Sequence, residues 1–173
     1  MDTTGGQMTS VTGAGRSAVV IIASSRAATG VYEDRTGPII RQWLAARGFD
    51  VGDPVVVQDG PDVELALQVA VGADVVITSG GTGISPTDRT PEATAEVLDF
   101  EIPGLADAIR AAGSDAVPTA ALSRGLAGVA GRTLIVNLPG SSGGVRDGLS
   151  VLDAVLDHAL SQLRGGDHPA GNA

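Results

Sequence analysis

The sequence contains neither cysteine nor lysine, and only 2% of its residues are aromatic. Without cysteine, the chain has no disulfide framework, no thiolate metal site and no cysteine nucleophile. Without lysine it has no P-loop cation, so any side-chain cation that contacts a phosphate must be an arginine. The two histidines, His158 and His168, have no carboxylate or second histidine at ligand spacing. This disfavours a zinc site and histidine-based catalysis.

Basic residues are fewer than acidic ones. The chain has 11 basic residues, all arginine, and 20 acidic ones, which gives a net charge of −9 and a pI near 4.4. A chain of this charge is not expected to bind nucleic acid or an anionic membrane surface. No apolar run reaches the length of a membrane span, and residues 1–15 lack the basic-then-apolar order of a signal peptide. We therefore expect a cytoplasmic protein.

The length and the apolar content predict one globular domain, because 173 residues with 43% hydrophobic content can bury a single core. The glycine-rich ends, residues 1–16 and 165–173, are predicted to be disordered tails around a domain at 17–164. Within that domain we predict strands and helices in alternation, with a possible break midway through the last helix and no assignment for 114–131. The predicted strands are 18–23, 55–57, 74–78 and 133–136, and the helices are 36–47, 62–71, 90–97, 103–112 and 145–163. This alternation predicts an α/β fold of three layers, with helices on both faces of a mostly parallel central sheet.

Three loops with unusual chemistry follow predicted strands, at residues 24–34, 79–88 and 137–144. Ligands of open parallel sheets bind at the carboxyl ends of the strands. The three loops are therefore expected to converge on one rim of the sheet.

The second loop is rich in glycine and hydroxyl groups, a composition that favours an anion-binding nest of backbone amides. The candidate binding residues are Thr78, Ser79, Gly80, Gly81, Thr82 and Gly83. Asp88 precedes a predicted helix with Thr90 as its N-cap, where the helix dipole would keep a carboxylate ionised. It is a candidate ligand for Mg²⁺ between nucleotide phosphates. The alternative is that the glycines form a tight turn and Asp88 helps to cap the helix.

The other two loops offer further candidates. Those of the third loop, at a helix N-terminus where phosphate binds readily, are Pro139, Gly140, Ser141 and Ser142. The alternative is an ordinary N-cap serine. In the first loop Arg26 is a candidate phosphate fork, and Asp34 either contributes to the site or caps the helix near Thr36. Asp59, after the second strand, either reaches the same rim or begins a turn before Pro61.

Neither GxxxxGK[ST] nor a strand-borne GxGxxG occurs, so the residues alone indicate a phosphate-binding α/β protein with carboxylates at its site. The motifs taken together are more specific. In chain order they are Ser24-Ser-Arg26, Gly30-Val-Tyr-Glu-Asp34, Ser79-Gly-Gly-Thr-Gly83, Asp88, Thr90-Pro-Glu-Ala-Thr94, Glu101-Ile-Pro-Gly104, Leu122-Ser-Arg124 and Arg132 to Ser141. This series resembles the signature of the molybdopterin-binding family, which includes bacterial molybdopterin adenylyltransferases, gephyrin and the plant Cnx proteins. The resemblance covers about residues 18–163.

The resemblance implies an α/β domain that assembles as a homotrimer and transfers AMP from ATP to the terminal phosphate of molybdopterin in a Mg²⁺-dependent reaction, releasing pyrophosphate. A molybdate-inserting protein would receive the product. The family's essential, metal-binding aspartates correspond to Asp88 and Asp59, and its pterin-phosphate loop corresponds to Gly140, Ser141 and their neighbours. Its first-loop motif adds Ser24 and Ser25 to the expected binding residues.

The chain departs from the family pattern at three positions. The family often has aspartate in place of Ser25, arginine in place of Thr87 and arginine near Ala130. The loss of two cations from a phosphate site would weaken nucleotide contacts unless other arginines compensate. The main alternative is therefore a protein of the same fold that binds molybdopterin without adenylylating it. A remoter alternative is a domain resembling that of the competence-damage-inducible proteins.

Overall fold

Short runs of Val, Ile and Ala form the strands of a computed structural model that describes residues 15–166. The strands are β1 (Ser17–Ala23), β2 (Asp50–Val51), β3 (Val55–Val57), β4 (Val75–Ser79), β5 (Phe100–Glu101), β6 (Ala127–Ala130) and β7 (Thr133–Leu138). The helices are α1 (Ser25–Ala28), α2 (Thr36–Ala46), α3 (Pro61–Ala70), α4 (Thr90–Val97), α5 (Pro103–Ser114) and α6 (Ser142–Leu163), with a 3₁₀ helix at Pro118–Leu122.

All seven strands belong to one sheet in the order β2-β1-β4-β7-β6-β5, with β3 also pairing with β1. The pairs that β1 forms with β2, β3 and β4, and the β4–β7 pair, are parallel. The β5–β6 and β6–β7 pairs are antiparallel. Every residue of β4 and β7 is buried, as expected for central parallel strands covered on both faces. The predicted mostly parallel α/β sheet is confirmed.

Alternate residues of the central strands pack into two separate cores, because successive side chains of a strand point to opposite faces. One core joins strand residues such as Val20 and Ile77 to α2, α5 and α6. The other joins residues such as Ile21 and Val76 to α3 and α4. The result is the predicted three-layer arrangement, with helices on both faces.

Residues 114–131, for which the sequence predicts no element, contain the 3₁₀ helix and β6. The chain turns from β6 into β7 through Gly131 and Arg132, with Ala130 paired to Thr133. Gly131 has a φ of +61°, which two-residue hairpin turns require and which glycine adopts at low cost. This hairpin adds the antiparallel edge of the sheet.

Two predictions about helix ends were wrong. Helix α6 begins at Ser142 rather than 145 and continues to Leu163 without the expected break. Helix α4 has Arg89, not Thr90, at its N-cap position, so Thr90 is its first helical residue. In both cases the loop before the helix is shorter than the sequence pattern suggested, which brings the first helical turn closer to the end of the preceding strand.

The predicted disordered tails lie outside the described residues, apart from Gly15, Arg16, Gly165 and Gly166 at their inner edges. Arg16 is held in place because it forms an ion pair with Asp157 and donates to the carbonyl oxygen of Arg47. Between residues 15 and 166, none of the helices combines the length and the apolar character that crossing a bilayer requires.

Candidate functional site

The three predicted loops meet at the carboxyl ends of β1, β4 and β7. Together they surround a cavity of about 500 Å³, which we call the first cavity. Its lining residues from the predicted site are Ser24, Asp34, Ser79, Gly80, Gly81, Gly140, Ser141 and Ser142. The expected convergence on one rim of the sheet is therefore observed.

Close backbone contact holds the three loops together at Gly80. A Cβ atom at this position would lie 2.3 Å from the carbonyl oxygen of Ala23, and the residue has a φ of +94°. The Gly80 amide donates to the carbonyl oxygen of Leu138 at 3.1 Å, while a Cβ on Gly140 would lie 3.4 Å from the Gly80 Cα. Only glycine fits at residue 80, because any side chain would push the first loop away from the second.

Two helices, α2 and α6, point their N-termini at the first cavity. They differ in the side chain that accepts hydrogen bonds from the amides of the first turn. At α2, Asp34 accepts hydrogen bonds from the amides of Thr36 and Gly37 at 3.0 and 2.9 Å. This is the capping role left open for Asp34 in the sequence. At α6, the cap is the neutral Ser141, whose hydroxyl accepts from the Gly144 amide at 3.1 Å, and the first turn contains no acidic residue.

The amides of the first turn of a helix have no partner within that helix. At α2 a carboxylate already occupies the positive end of the helix dipole. At α6 the amides of Ser142 and Gly143 remain for a ligand, and the first turn of this helix contains no acidic side chain that would oppose an incoming anion. The α6 N-terminus is thus the better phosphate site of the two.

Two predicted hydroxyl donors belong to the interior instead. Thr78 is completely buried, and its hydroxyl accepts from Asn137 Nδ2 at 2.9 Å. The same Asn137 amide donates to Thr94, and its oxygen accepts from the Leu126 amide. Ser79 Oγ donates to the carbonyl oxygen of Pro139 at 2.8 Å, so it joins the second loop to the third. Thr78 and Ser79 therefore shape the rim rather than offering free donors.

The cation beside the first cavity is Arg35 rather than Arg26. Arg26 lies on the exposed side of α1, and neither it nor Ser25 lines the cavity, whereas Arg35 and Tyr32 both do. The Arg35 guanidinium lies 5.5 Å from the centroid of the Tyr32 ring. Arg35 was not among the predicted residues, although it directly follows the motif that ends at Asp34.

The two candidate aspartates lie beside the glycine loop, outside the residues that line the first cavity. Asp59 accepts from the Arg89 amide at 3.1 Å, so Asp59 and not Asp88 takes the helix-terminal amide of α4. Asp88 accepts from the Ser85 amide at 3.1 Å and closes its own loop. Both carboxylates approach glycines, since a Cβ on Gly81 would lie 2.5 Å from Asp59 Oδ2 and one on Gly83 2.7 Å from Asp88 Oδ2.

Burial raises the pKa of Asp59, and the negative charge of Asp88 raises it further, although the hydrogen bond from the Arg89 amide lowers it. Two carboxylates that repel each other are a suitable pair for a divalent cation. Across residues 15–166 no group of three or more metal-ligating side chains occurs. Mg²⁺ is commonly held by one or two carboxylates together with substrate phosphates, so the donors present fit that ion.

Arg124 fixes the loop that carries Asp88. Its Nε donates to the carbonyl oxygen of Gly83, and Nη2 donates to that of Asp88, both at 2.8 Å. Its Nη1 forms an ion pair with Glu92 on α4 at 2.5 Å, and its amide donates to the carbonyl oxygen of Thr82. The guanidinium therefore neutralises Glu92 and braces the backbone, instead of replacing the cations missing from the phosphate site.

A second cavity, of about 290 Å³, adjoins the first and was not predicted. It lies between α5, the 3₁₀ helix and the start of α6, and it shares Gly140 and Ser141 with the first cavity. The predicted residues Thr82, Gly83 and Pro139 line it as well. Much of its wall comes from residues 114–131, for which the sequence pattern gave no assignment.

The fold is that of an α/β protein. Its α6 N-terminus, its glycine loops at the ends of parallel strands and its pair of carboxylates are features suited to a phosphate ligand. Comparison with known proteins makes the class specific. A family described as a probable molybdopterin binding domain matches residues 19–158. The chain belongs to this family, and its similarities place it among the Mog- and MoaB-like members.

Named relatives support this membership. A molybdopterin adenylyltransferase of Helicobacter pylori strain J99 is 34% identical over 152 residues, which cover 84% of this chain and 86% of that protein. A molybdenum cofactor biosynthesis bifunctional protein of Synechococcus elongatus is 38% identical over 158 residues, covering 90% of this chain and 50% of that protein. The chain thus spans about half the length of that bifunctional relative.

Among solved structures, the molybdopterin biosynthesis Mog protein from Mycobacterium ulcerans is 66% identical to this chain. It superimposes with a TM-score of 0.83 over 86% of this chain and 99% of that protein. This similarity confirms the fold at the level of the whole described domain.

Proposed function

We propose that this protein transfers AMP from ATP to the terminal phosphate of molybdopterin. In this reaction a phosphate oxygen of molybdopterin attacks the α-phosphorus of ATP. The bond from that phosphorus to the oxygen bridging the β-phosphorus breaks, and pyrophosphate leaves. Both substrates carry phosphates, so the site must hold two polyanions side by side.

The observation that carries the proposal is the pairing of an acid-free helix N-terminus with a glycine loop flanked by two carboxylates. The α6 amides at Ser142 and Gly143 suit one phosphate group, and Arg35 lines the same cavity. Mg²⁺, when bound, would neutralise charge on the transferring phosphoryl group, and Asp59 and Asp88 are the residues that would hold it. No covalent nucleophile is needed, because the substrate phosphate attacks directly.

Purified protein should therefore release pyrophosphate and form adenylylated molybdopterin when it is supplied with molybdopterin, ATP and Mg²⁺. The matched variant is Asp88→Asn, which keeps the size of the side chain and an oxygen for the Ser85 amide. We expect it to bind molybdopterin within roughly tenfold of the original protein while turnover falls far more. Normal turnover in this variant would refute the role of Asp88.

The second candidate function is molybdopterin binding without adenylylation. It is favoured by the position of Asp59 and Asp88 outside the lining of both cavities, and by Ser25, Thr87 and Ala130, where the family pattern often has charged residues. Tight molybdopterin binding together with no pyrophosphate release at saturating ATP and Mg²⁺ would select this function.

We also propose that the chain acts as a homotrimer and passes its product to a molybdate-inserting protein. Exposed apolar side chains on α3, at Leu65 and Val69, are candidates for burial between subunits. Sedimentation equilibrium should give about three times the 17.2 kDa of one chain. A stable monomer at working concentration would count against this assembly.

A further inference from the structure

A buried hydroxyl group beside the two candidate aspartates has no hydrogen-bond partner. It belongs to Thr90, the first residue of α4, which is completely buried. No atom within residues 15–166 forms a hydrogen bond with its Oγ1. The sequence pattern predicts this residue as a helix cap, but Arg89 holds that position. A buried hydroxyl without a partner destabilises a fold, and such a group often marks a functional site.

The carboxylate of Asp59 lies next to this hydroxyl. Thr90 Oγ1 and Asp59 Oδ2 are both within 2.5 Å of the same point, which is the position that a Cβ on Gly81 would occupy. The two oxygens are therefore close neighbours across Gly81, although they do not form a hydrogen bond. Because residue 81 is a glycine, no side chain separates them.

Asp59 is held through its other carboxylate oxygen. Oδ1 accepts from the Arg89 amide at 3.1 Å, and no side chain among residues 15–166 donates to Oδ2. Thr90 is itself fixed beside this carboxylate, because its amide donates to the carbonyl oxygen of Gly81 at 3.1 Å. A carboxylate oxygen has two lone pairs, so Oδ2 can accept from a hydroxyl and still bind a cation.

We propose that Thr90 is a positioning residue for Asp59. Its hydroxyl donates to Oδ2 when Asp59 holds Mg²⁺, so the Arg89 amide and the Thr90 hydroxyl together fix both carboxylate oxygens. Carboxylates that bind a metal are commonly oriented in this way by hydrogen bonds from neighbouring groups. This inference rests on the proposed function, which assigns the cation to Asp59 and Asp88.

Thr94, one helical turn further along α4, offers a matched comparison. It is also completely buried, but its hydroxyl donates to the carbonyl oxygen of Thr90 at 2.8 Å and accepts from Asn137 Nδ2 at 3.0 Å. Replacing either threonine with valine removes the hydroxyl and keeps the shape of the side chain. At Thr94 this change breaks two hydrogen bonds, whereas at Thr90 it breaks none in the ligand-free protein.

Urea unfolding without Mg²⁺ tests whether the hydroxyl is unpaired in the free protein. Thr94→Val should lower the urea midpoint. Thr90→Val should leave the midpoint unchanged or raise it, because it removes a buried hydroxyl that has no partner. A midpoint for Thr90→Val that falls as far as that of Thr94→Val would overturn the inference.

Isothermal titration calorimetry with α,β-methylene-ATP tests the positioning role without any transfer, because this analogue cannot release pyrophosphate. The quantity of interest is the factor by which Mg²⁺ strengthens binding of the analogue. We expect Thr90→Val to reduce this factor by about tenfold, as loss of a group that orients a metal ligand implies, and to change the Mg²⁺-free affinity by less than about twofold. Thr90→Ser keeps the hydroxyl and should retain the factor, as should Thr94→Val.

The same titrations contain the results that contradict the inference. An unchanged factor in Thr90→Val, a loss in Thr90→Ser as large as that in Thr90→Val, or an equal loss in Thr94→Val would each overturn it. Adding Thr90→Val to Asp59→Asn should reduce the factor no further, because Thr90 acts through that carboxylate. A further loss in the double variant would mean that Thr90 acts on something else.

The aspartate variants separate this inference from the proposed function. If Asp59→Asn loses the effect of Mg²⁺ and Thr90→Val keeps it, only the inference fails. If Asp59→Asn and Asp88→Asn both keep the effect, or the original protein shows none, the cation site on which both depend is refuted. If the effect depends on Thr90 and Asp59 but no pyrophosphate is released from molybdopterin and ATP, the positioning role is supported and the transferase function is refuted.

Discussion

Replacing Gly81 with alanine tests how tightly the glycine loop is packed against the candidate aspartate. The new Cβ would lie 2.3 Å from Thr90 Oγ1 and 2.5 Å from Asp59 Oδ2, at a φ of +66°. Gly131→Ala is a matched control, because Gly131 has a φ of +61° and a Cβ added there would have no neighbouring atom within 4 Å. Both variants share the backbone strain, and only Gly81→Ala adds the steric overlap.

The size of each effect follows from these contacts. A left-handed backbone conformation costs a non-glycine residue roughly 1–2 kcal/mol, and this should be the whole effect of Gly131→Ala. Overpacking in a closed site adds about 1–3 kcal/mol, so Gly81→Ala should lose roughly 2–5 kcal/mol. Thr90 cannot relieve the overlap easily, since it is completely buried in the first turn of α4.

Urea unfolding followed by circular dichroism measures the difference between the two variants. Combining Gly81→Ala with Thr90→Ala should cost less than the sum of the single changes, because the second change removes the nearest clashing atom. Equal destabilisation by Gly81→Ala and Gly131→Ala would refute this packing of the loop. We also expect Gly81→Ala to displace Asp59 and to lose AMP transfer.

Three further predictions concern the charges around the site. Ser142→Asp places an acid in the first turn of α6, so the free energy of unfolding should rise by about 0.3–1 kcal/mol while binding of molybdopterin weakens. Arg124→Ala removes the hydrogen bonds to the loop of Asp88, so kcat should fall by about tenfold or more with KM changed by less than about threefold. Asp74→Asn should lower the free energy of unfolding at neutral pH, and this loss should shrink at acidic pH. Asp59→Asn should instead gain stability relative to the original protein as the pH rises. Urea unfolding at several pH values measures both effects.

The signs for the two aspartates follow from their pKa shifts. Burial alone would raise the pKa of Asp74, but hydrogen bonds from Ser17 and Arg164 together lower it below 3.8. Its contribution to stability is therefore present above pH 3.8 and is lost as the pH falls below that value. The raised pKa of Asp59 means that its ionised form disfavours the fold, so the Asn variant should gain stability relative to the original protein as pH rises above 3.8.

Controls keep these predictions specific. Ser150→Asp places the same charge on an exposed turn farther along α6 and should leave molybdopterin binding unchanged. Arg124→Lys keeps the charge but cannot donate to two carbonyl oxygens in the same fork, so it should restore little of the lost turnover. Glu92→Gln removes only the charge that pairs with Arg124, and a loss as large as that of Arg124→Ala would show that the ion pair, rather than the backbone contacts, is responsible.

The sequence pattern located the rim of the site well because buried strands and glycine loops have strong local signals. The residues of β1 after Ser17 and the first three residues of β4 are apolar, and each strand ends directly at a loop that lines the first cavity. Arg26 was predicted at the site, but it lies in the short helix α1, which leaves its side chain exposed and outside the lining of the first cavity. Spacing along a chain does not reveal such a turn.

The second cavity escaped prediction for a different reason. Its walls combine a 3₁₀ helix with residues of α5 and α6 that are distant in sequence. A 3₁₀ segment has neither the period of a helix nor that of a strand, so residues 114–131 showed no pattern to recognise.

The proposed reaction requires this acidic protein to hold two polyanions, which it can do only with local fields. The net charge of −9 repels phosphate at long range, and this term is screened within about 10 Å at ordinary ionic strength. At short range the fold uses amide groups, which add no net charge, and it leaves α6 without an acidic cap while giving one to α2. That difference between the two helix ends favours α6 over α2 for the proposed phosphate contact, and it would disappear if an acid were placed at Ser142.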